Sequence, residues 1–204
     1  MEPLKLEIRH QGAISERGIF TGYIKDKNGK DTKKAITQYQ HMDWEKHFKG
    51  ELYLGLSPVK IIQNGTGRKG FCRWVGWDLD FEQEPETFCR AVFRIATDFF
   101  CYRTSSNNWH IYKYYDEEID VEEARKVAVK YEAIFKKTFK GLKVDSSHSL
   151  PKGHDIERGR PGGWLFQPYC PHEELINKNT CGYSPSGQPL TKEQVEFAIQ
   201  WRKH

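Results

Sequence analysis

Two aspartates, two residues apart, carry the clearest chemical signal in the sequence. Asp78 and Asp80 close the apolar and aromatic run 73–79, a pattern that predicts a buried strand. Because side chains alternate along a strand, both carboxylates point to the same face. Two like charges held side by side need a cation between them, and paired carboxylate oxygens suit Mg²⁺ or Mn²⁺. The alternative is a strand that ends in an acidic loop.

A short polar segment, residues 104–108, leads into a second strand rich in aromatic residues, 109–115. The hydroxyl of Ser106, the amide of Asn108 and the backbone N–H groups of a turn are suited to phosphate oxygens. His110 adds one more donor at the start of the strand. The pattern predicts a phosphate-binding turn; the alternative is a plain loop with His110 hydrogen-bonded inside the sheet.

Asp145 is a third carboxylate, placed at the end of a short apolar strand, 142–145. If this strand lies beside the one that carries Asp78 and Asp80, the three carboxylates converge on two metal ions. Lys152 then supplies positive charge for phosphates. Taken alone, Asp145 is equally well explained as the cap of a turn.

Two basic segments are candidates for contact with a nucleic-acid backbone. Residues 64–70 predict a glycine-rich basic loop that contains Arg68 and Lys69, although their spacing matches neither a P-loop nor a dinucleotide fingerprint. Arg158 and Arg160 precede a glycine pair that allows a close approach to a nucleotide or template. Exposed arginines on a tight hairpin are the alternative for the second segment.

Composition predicts an ordinary globular protein. The 204 residues are 37% hydrophobic and 29% charged, and the net charge of +4 is too small to establish nucleic-acid binding by itself. No apolar run approaches the roughly 20 residues of a spanning helix, and the amino terminus has no signal-peptide core. We therefore expect an intracellular protein, in the host cytoplasm if the gene is carried by a phage or plasmid.

The five cysteines favour reduced thiols, because they are scattered and odd in number. Cys170, His172 and Cys181, with His154, match no strong zinc spacing. We therefore do not expect zinc.

The periodicity of the remaining chain predicts an α+β fold with helices on one face of an open sheet. Phe88, Val92, Ile95 and Phe99 recur at helical spacing after Pro85. A second helix is predicted to begin after Asp120 and to end at Gly141, with an apolar stripe formed by Val121, Ala124, Ala128, Tyr131, Phe135 and Phe139.

The whole chain, 1–204, is predicted to be a single domain with three parts. These are an N-terminal module over about residues 1–70, a palm over 71–170 that carries the motifs, and a helical extension over 171–204. Thr191 and Gln194 form a capping-box pattern for the last helix. The abrupt end of that helix suggests a fragment of a longer protein, which in full could continue into a helicase region.

Taken in order, these segments resemble the archaeo-eukaryotic primase superfamily, and within it the primase-polymerase domains of phage, plasmid and related replication proteins. Its Asp-x-Asp motif is matched by residues 77–80, its small-residue turn ending in histidine by 105–112, and its apolar pair with an acid by 143–145. An upstream histidine and glycine, His47 and Gly50, and the late segment 162–169 add to the likeness. It covers residues from about 40 to 170. Ser106 and Asn108 replace glycines, and Gly163 replaces an asparagine.

The resemblance implies a catalytic core with an RRM-like palm and an N-terminal α/β module. It also implies a DNA polymerase or primase that uses two divalent metals, Mg²⁺ or Mn²⁺, with template DNA, a primer and dNTP or NTP as partners. The residues that it assigns to metal binding and catalysis are Asp78, Asp80 and Asp145. Those near the incoming triphosphate are Ser106, Asn108, His110 and Lys152. Arg68, Lys69, Arg158 and Arg160 are the candidates for DNA contact.

Two other functions fit parts of the same pattern. A non-catalytic module that binds single-stranded nucleic acid would use Tyr112, Tyr114 or Tyr115 to stack bases, and the acids would not matter. The aromatic strand lacks the basic, glycine and aromatic signature of that module. A metal-dependent nuclease is the second alternative, because carboxylate clusters serve hydrolysis as well as synthesis. Primer initiation, template preference, nucleotide preference and oligomeric state have no signal in the sequence.

Overall fold

The computed structural model describes residues 5–6, 24–25, 31–32, 44–50, 55–104, 106–142, 149–152, 155–160, 162–171 and 180–201. The helices are α1 (Trp44–Phe48), α2 (Pro85–Ile95), α3 (Val121–Thr138) and α4 (Lys192–Trp201). The strands are β1 (Ile24–Lys25), β2 (Asp31–Thr32), β3 (Gly55–Leu56), β4 (Val59–Asn64), β5 (Gly67–Leu79), β6 (Phe99–Arg103), β7 (Trp109–Asp120), β8 (Ser149–Leu150), β9 (Leu165–Phe166), β10 (Gly182–Tyr183) and β11 (Pro189–Leu190).

The main sheet is antiparallel and has the order β11-β10-β6-β7-β5-β4, with β8 also paired to β5. Within it, β5-α2-β6-β7-α3-β8 follow one another in the chain, while their strands lie side by side as β8-β5-β7-β6. This is the split βαβ arrangement of ferredoxin-like and RRM-like domains. The predicted α+β class and RRM-like palm are therefore confirmed.

One face of the sheet is covered by α2 and α3. Apolar side chains of β5, β6 and β7 form a continuous core with both helices. Trp77 is fully buried, and its indole Nε1 donates to the backbone oxygen of Ala128 on α3 over 2.9 Å. The ring of Phe88 on α2 stacks on Trp109 with 4.3 Å between centroids. These contacts fix α2 and α3 against the central strands.

The opposite face is only partly open. A second core joins Trp74 and Tyr112 of the sheet to Val195 and Ile199 of α4, and to Leu165 of β9. Strand β9 pairs with β3. Apolar side chains on the second face explain this cover, because Trp74 and the tyrosines of β6 and β7 would otherwise be exposed to water.

Two boundaries differ from the predicted ones. Helix α2 ends at Ile95, and Phe99 is the first residue of β6, a strand that the helical spacing had concealed. Residues 64–70 do not form a loop: Gly65, with φ +60°, and Thr66 make a tight turn, and Arg68 and Lys69 already belong to β5.

The predicted N-terminal caps of α3 and α4 are confirmed. Asp120 accepts a hydrogen bond from the backbone N–H of Glu122 over 2.8 Å. At its other end α3 stops at Thr138 with Phe139 as the C-cap, before Gly141, which has φ +88°. Thr191 and Gln194 exchange bonds of 2.8 and 3.2 Å at the start of α4, which is the reciprocal capping box.

The boundaries of the proposed three-part division can be compared with the strands of the main sheet. The boundary at residue 70 falls inside β5, and β10 and β11 join the main sheet through β6. The parts thus share one hydrogen-bonded sheet over the described ranges. In those ranges no helix has the length and apolarity required to cross a bilayer.

Candidate active site

The first and second predicted motifs lie on adjacent strands. Strands β5 and β7 are antiparallel, and Asp78 is the register partner of His110. Nε2 of His110 lies 3.3 Å from Oδ1 of Asp78. The histidine side chain is 9% exposed and the aspartate side chain 30% exposed, so the pair sits at the surface end of the strands with its carboxylate accessible from solvent.

Asp80 and Asn108 form a second contact one step further along. Nδ2 of Asn108 donates to Oδ1 of Asp80 over 2.9 Å. Ser106 Oγ lies 3.4 Å from the same amide nitrogen and 3.1 Å from the hydroxyl of Thr104. The structure therefore brings together two predicted acids and three predicted phosphate-binding residues.

A tight polar turn holds this second motif. The backbone N–H of Thr104 donates to the oxygen of Asn108 over 2.9 Å, and Thr104 Oγ1 accepts from the Asn108 N–H over the same distance. Asn107 adopts φ +67°, a left-handed conformation that asparagine tolerates better than most residues. The predicted turn is thus present, and its donors are held next to Asp80.

A break in strand pairing explains which way the acids point. Between the register pairs Cys72↔Ile119 and Trp74↔Tyr114, β5 contributes Arg73 while β7 contributes residues 115–118. Cys72 and Val75 both join the core under the helices, so the alternation changes phase between them. Asp78 consequently shares the face of Trp74, away from α2 and α3.

Arg103 clamps the two segments of the site, and the sequence did not single it out. Its Nε donates to Oδ1 of Asn107 over 2.9 Å and its Nη1 to the backbone oxygen of Gln83 over 2.8 Å. The guanidinium lies 4.6 Å from the ring centroid of Trp109. Burial lowers the pKa of Arg103. One side chain thus ties the segment after Asp80 to the turn that carries Asn108.

A row of register partners crosses the sheet through the site. Asp78 pairs with His110, His110 with Tyr102 of β6, and Tyr102 with Gly182 of β10. A Cβ atom at Gly182 would lie 2.7 Å from Val195 Cγ2 and 2.8 Å from the hydroxyl of Tyr169. The row therefore extends from the carboxylates to the base of α4.

Asp145 lies outside the described residues, as do its neighbours 143–148. The strand that follows is described: Ser149 of β8 pairs with Trp77, the residue before Asp78. Ser149 Oγ donates to the buried carboxylate of Glu132 on α3, which also accepts from Lys136 over 2.6 Å. Glu132, which the sequence did not mark, therefore anchors β8 beside β5.

Lys152 follows β8 on the side away from Asp78, because Leu150 already pairs with Gly76. Its backbone oxygen accepts from the N–H of Gly163 over 3.3 Å. Among the described residues its ammonium group forms no hydrogen bond or ion pair with Asp78 or Asp80, and its predicted role in phosphate binding stays a prediction.

The four basic residues proposed for DNA contact lie at the other end of β5. Arg68 is ten residues before Asp78, a separation of about 30 Å along a strand. Its Nη1 donates to the backbone oxygen of Glu157 over 2.7 Å, which places it against the turn 155–160. In that turn Nε of Arg158 lies 3.5 Å from Oδ2 of Asp155. Arg160 pairs with Asp155 through the backbone, and Lys69 follows Arg68 on β5.

The donor set of Asp78 and Asp80 fits a hard divalent cation. Asp78 lies near the end of β5 and Asp80 follows its last residue, and both carboxylates are accessible to solvent, as hydrated Mg²⁺ requires. Within the described ranges, no three histidine, cysteine, aspartate or glutamate side chains converge as a metal site. The predicted set needs Asp145 as its third member. For zinc, Cys170 is buried and Cys181 half-buried, while His154 and His172 lie outside the described residues.

Comparison with known proteins gives limited information. No family model matches the chain, and no curated protein matches it. Among solved structures, it is similar to the polymerase domain from Mycobacterium tuberculosis Ligase D in complex with DNA, at 15% sequence identity and a TM-score of 0.44. The match covers 73% of this chain and 60% of that one. A likeness this distant carries no argument about activity.

Proposed function

We propose that this protein is a metal-dependent nucleotidyltransferase that extends a primer on a DNA template. The observation that carries the proposal is the pairing of β5 with β7. It sets Asp78 beside His110 and Asp80 beside Asn108, so that paired carboxylates and phosphate-binding donors occupy one end of the sheet. The same two segments carry the sequence resemblance to primase-polymerases.

The reaction requires few groups from the protein. A primer 3′-hydroxyl attacks the α-phosphate of a nucleoside triphosphate, and pyrophosphate leaves. Catalysis of this kind consists mainly of positioning and of neutralising charge on the phosphoryl oxygens. Bound divalent ions would supply that neutralisation and activate the hydroxyl.

We assign the holding of these ions to Asp78, Asp80 and Asp145. Asp145 is four residues before Ser149, and four residues of fully extended chain span at most about 14 Å. Ser149 pairs with Trp77, the neighbour of Asp78. Asp145 is thus within reach of the other two acids. Asn108 and His110, which already contact the carboxylates, are assigned to orienting them and to donating to the triphosphate. Ser106 and Lys152 are assigned supporting contacts to phosphate.

A base-stacking module is less well supported by the same structure. Tyr112 is fully buried and Tyr114 is 6% exposed, so neither ring presents a face to a base. The hydroxyl of Tyr112 donates to the backbone oxygen of Phe166 over 3.2 Å. These tyrosines belong to the core between the sheet, β9 and α4.

The test is incubation with a labelled primer–template and Mg²⁺ or Mn²⁺, with and without deoxynucleotides. Extension only when nucleotides are present supports the proposal. Shortening of the label without nucleotides indicates a nuclease, and binding without either product indicates a non-catalytic module. Asp78→Asn and Asp80→Asn should each abolish extension while the thermal unfolding midpoint stays near that of the wild type. Asp116→Asn, an exposed site elsewhere on β7, is the matched control and should retain extension.

A further inference from the structure

The outward side of α3 carries a run of positive charge that the candidate site does not use. Its acids, Glu122 and Glu123, are confined to the first turn, apart from the buried Glu132. All exposed charges from there to the following turn are basic. We call these residues the α3 basic face: Arg125, Lys126, Lys130, Lys136, Lys137 and Lys140.

The charge of this face is largely unpaired. Lys136 lies 2.6 Å from Glu132, but among the described residues none of the other five has a carboxylate within ion-pair distance. Three cations elsewhere on the surface are paired, Lys49 with Glu45, Lys60 with Glu118, and Arg90 with Glu86, whereas Lys69 and Arg94 are exposed and, like the five, have no carboxylate within that distance among the described residues. Residues 121–142 carry six basic and three acidic side chains, a net charge of +3, whereas the whole chain has a net charge of +4.

The arrangement of the charges along the helix is regular. Lys126, Lys130 and Lys137 follow one another at helical spacing on the side opposite the buried residues Ala128 and Phe135. From Arg125 to Lys137 the line is about 18 Å long. Lys126 and Lys130, one turn apart, repel each other, and a bound polyanion relieves that repulsion.

The chemistry of the face favours one class of polyanion. Val129, at 57% exposure, is its one large apolar side chain, whereas helices that lie in a membrane surface carry a broad apolar side. A shallow depression of ≈ 450 Å³ borders the first two turns, lined by Glu122, Arg125, Lys126, Val129 and Lys130. A linear array of cations matches a phosphate backbone, whose charges are evenly spaced.

The C-terminal end of α3 lies close to the candidate active site. Phe139, which caps the helix, lies 5.4 Å from the ring of Phe81, and Phe81 follows Asp80 directly. The α3 basic face therefore ends near the end of strands β5 and β7 that carries Asp80 and Asn108. Glu122 and Glu123 lie in the first turn, at its other end.

We propose that the α3 basic face binds the phosphate backbone of the primer–template where the nucleic acid runs past the end of the sheet next to Asp80. This proposal deepens the proposed function and rests on it for the identity of the nucleic acid. The contact itself is independent of sequence, because it engages phosphates rather than base edges. Binding and incorporation are separate measurements, so each proposal can fail alone.

The test compares two triple variants that remove the same charge. Lys126→Gln, Lys130→Gln and Lys137→Gln alter the face; Lys49→Gln, Lys60→Gln and Arg90→Gln remove three paired cations elsewhere. Affinity for a labelled primer–template is measured by fluorescence anisotropy over a series of salt concentrations. The first variant should lose about 10- to 100-fold in affinity at low salt, and its salt slope should flatten by about 2 to 3. The control should bind like the wild type.

Equal binding by the two triple variants would overturn the proposal, provided that both unfold at the temperature of the wild type. A preference of the wild type for poly-L-glutamate over DNA would also overturn it, because an acidic protein would then be the occupant. If the α3 variant extends primers and binds them as the wild type does, this inference fails while the proposed function stands. If the wild type binds through α3 but never incorporates nucleotides, the proposed function fails instead.

Discussion

The side-chain amide of Asn108 donates to Oδ1 of Asp80 over 2.9 Å and thereby joins the two motifs across the β5–β7 pair. This bond fixes the orientation of a carboxylate that would otherwise rotate freely at the exposed end of its strand. Ser106, at 3.4 Å, is a more distant partner of the same amide. The two residues are therefore expected to differ in importance.

Asn108→Ala should raise the Mg²⁺ concentration needed for half-maximal primer extension by about 10- to 100-fold, the usual effect of losing a group that orients a metal ligand. Ser106→Ala should shift it much less. The metal requirement of each variant is measured by following the initial extension rate as the Mg²⁺ concentration is raised. Equal metal requirements in wild type and Asn108→Ala would show that the amide does not orient Asp80.

Replacement of His110 should weaken the binding of both nucleotide and metal. Its ring lies 3.3 Å from the carboxylate of Asp78, and we assign it to contact with the triphosphate. His110→Ala is expected to raise the KM for nucleotide and to lower kcat by about 100-fold or more. His110→Gln still offers an N–H donor, from its amide, and should recover part of the lost kcat. Steady-state kinetics and DNA-binding assays separate the effects. A variant with weakened DNA binding and an unaltered KM would contradict the assignment to phosphates.

Arg103 is expected to hold the turn that carries Asn108 in place, without contacting the substrates. Arg103→Lys keeps the charge but cannot reach both Asn107 and Gln83 with a planar fork. Loss of one charged hydrogen bond should lower the free energy of unfolding by about 1–3 kcal/mol. Displacement of the turn should reduce kcat by about 10- to 100-fold, with DNA affinity unchanged. Arg90→Lys, on the exposed side of α2, is the control. A normal kcat at a temperature where Arg103→Lys is folded would refute the positioning role.

Alkaline pH should weaken the fold through a buried thiol. Burial, with a smaller effect of Asp120, raises the pKa of Cys72 from 9.0 to about 12. The folded protein favours the neutral thiol, so this stabilisation is complete below pH 9 and is lost as the pH rises from 9 toward 12. Burial also raises the pKa of Tyr183 from 10.0 to about 12, which acts in the same direction. Urea unfolding across this range should show a falling free energy, with a shallower fall in Cys72→Ala. A free energy of unfolding that stays constant above pH 9 would contradict this.

The grouping of Asp78, Asp80 and the polar turn was predictable from the sequence further than the geometry of their contacts. Strand alternation placed Asp78 and Asp80 on one face, and the polar residues before Trp109 predicted a turn. Which face they share was not predictable, because it depends on the break in pairing at Arg73, and a period of two has no signal for such a break. The partnership of Asp78 with His110 depends on strand register, which is a property of the folded sheet.

Residues that support the site had weaker signals. Arg103 resembles any strand-terminal arginine until the carbonyl of Gln83 and the amide of Asn107 are brought around it. Glu132 occupies a helix position that the charge pattern assigns to solvent, yet it is buried against Ser149. Strand β6 was hidden because Phe99 continued the helical spacing of α2 by coincidence. The roles of Asp145 and Lys152 remain predictions.

The row from Asp78 through His110 and Tyr102 to Gly182 has a practical meaning for altering this protein. A displacement at Gly182, for example by the added methyl of an alanine packed against Val195, would pass along rigid backbone pairs rather than through flexible side chains. Under the proposed function, a substitution at this distant border of the sheet would change the rate of primer extension while every side chain of the candidate site keeps its native chemical form.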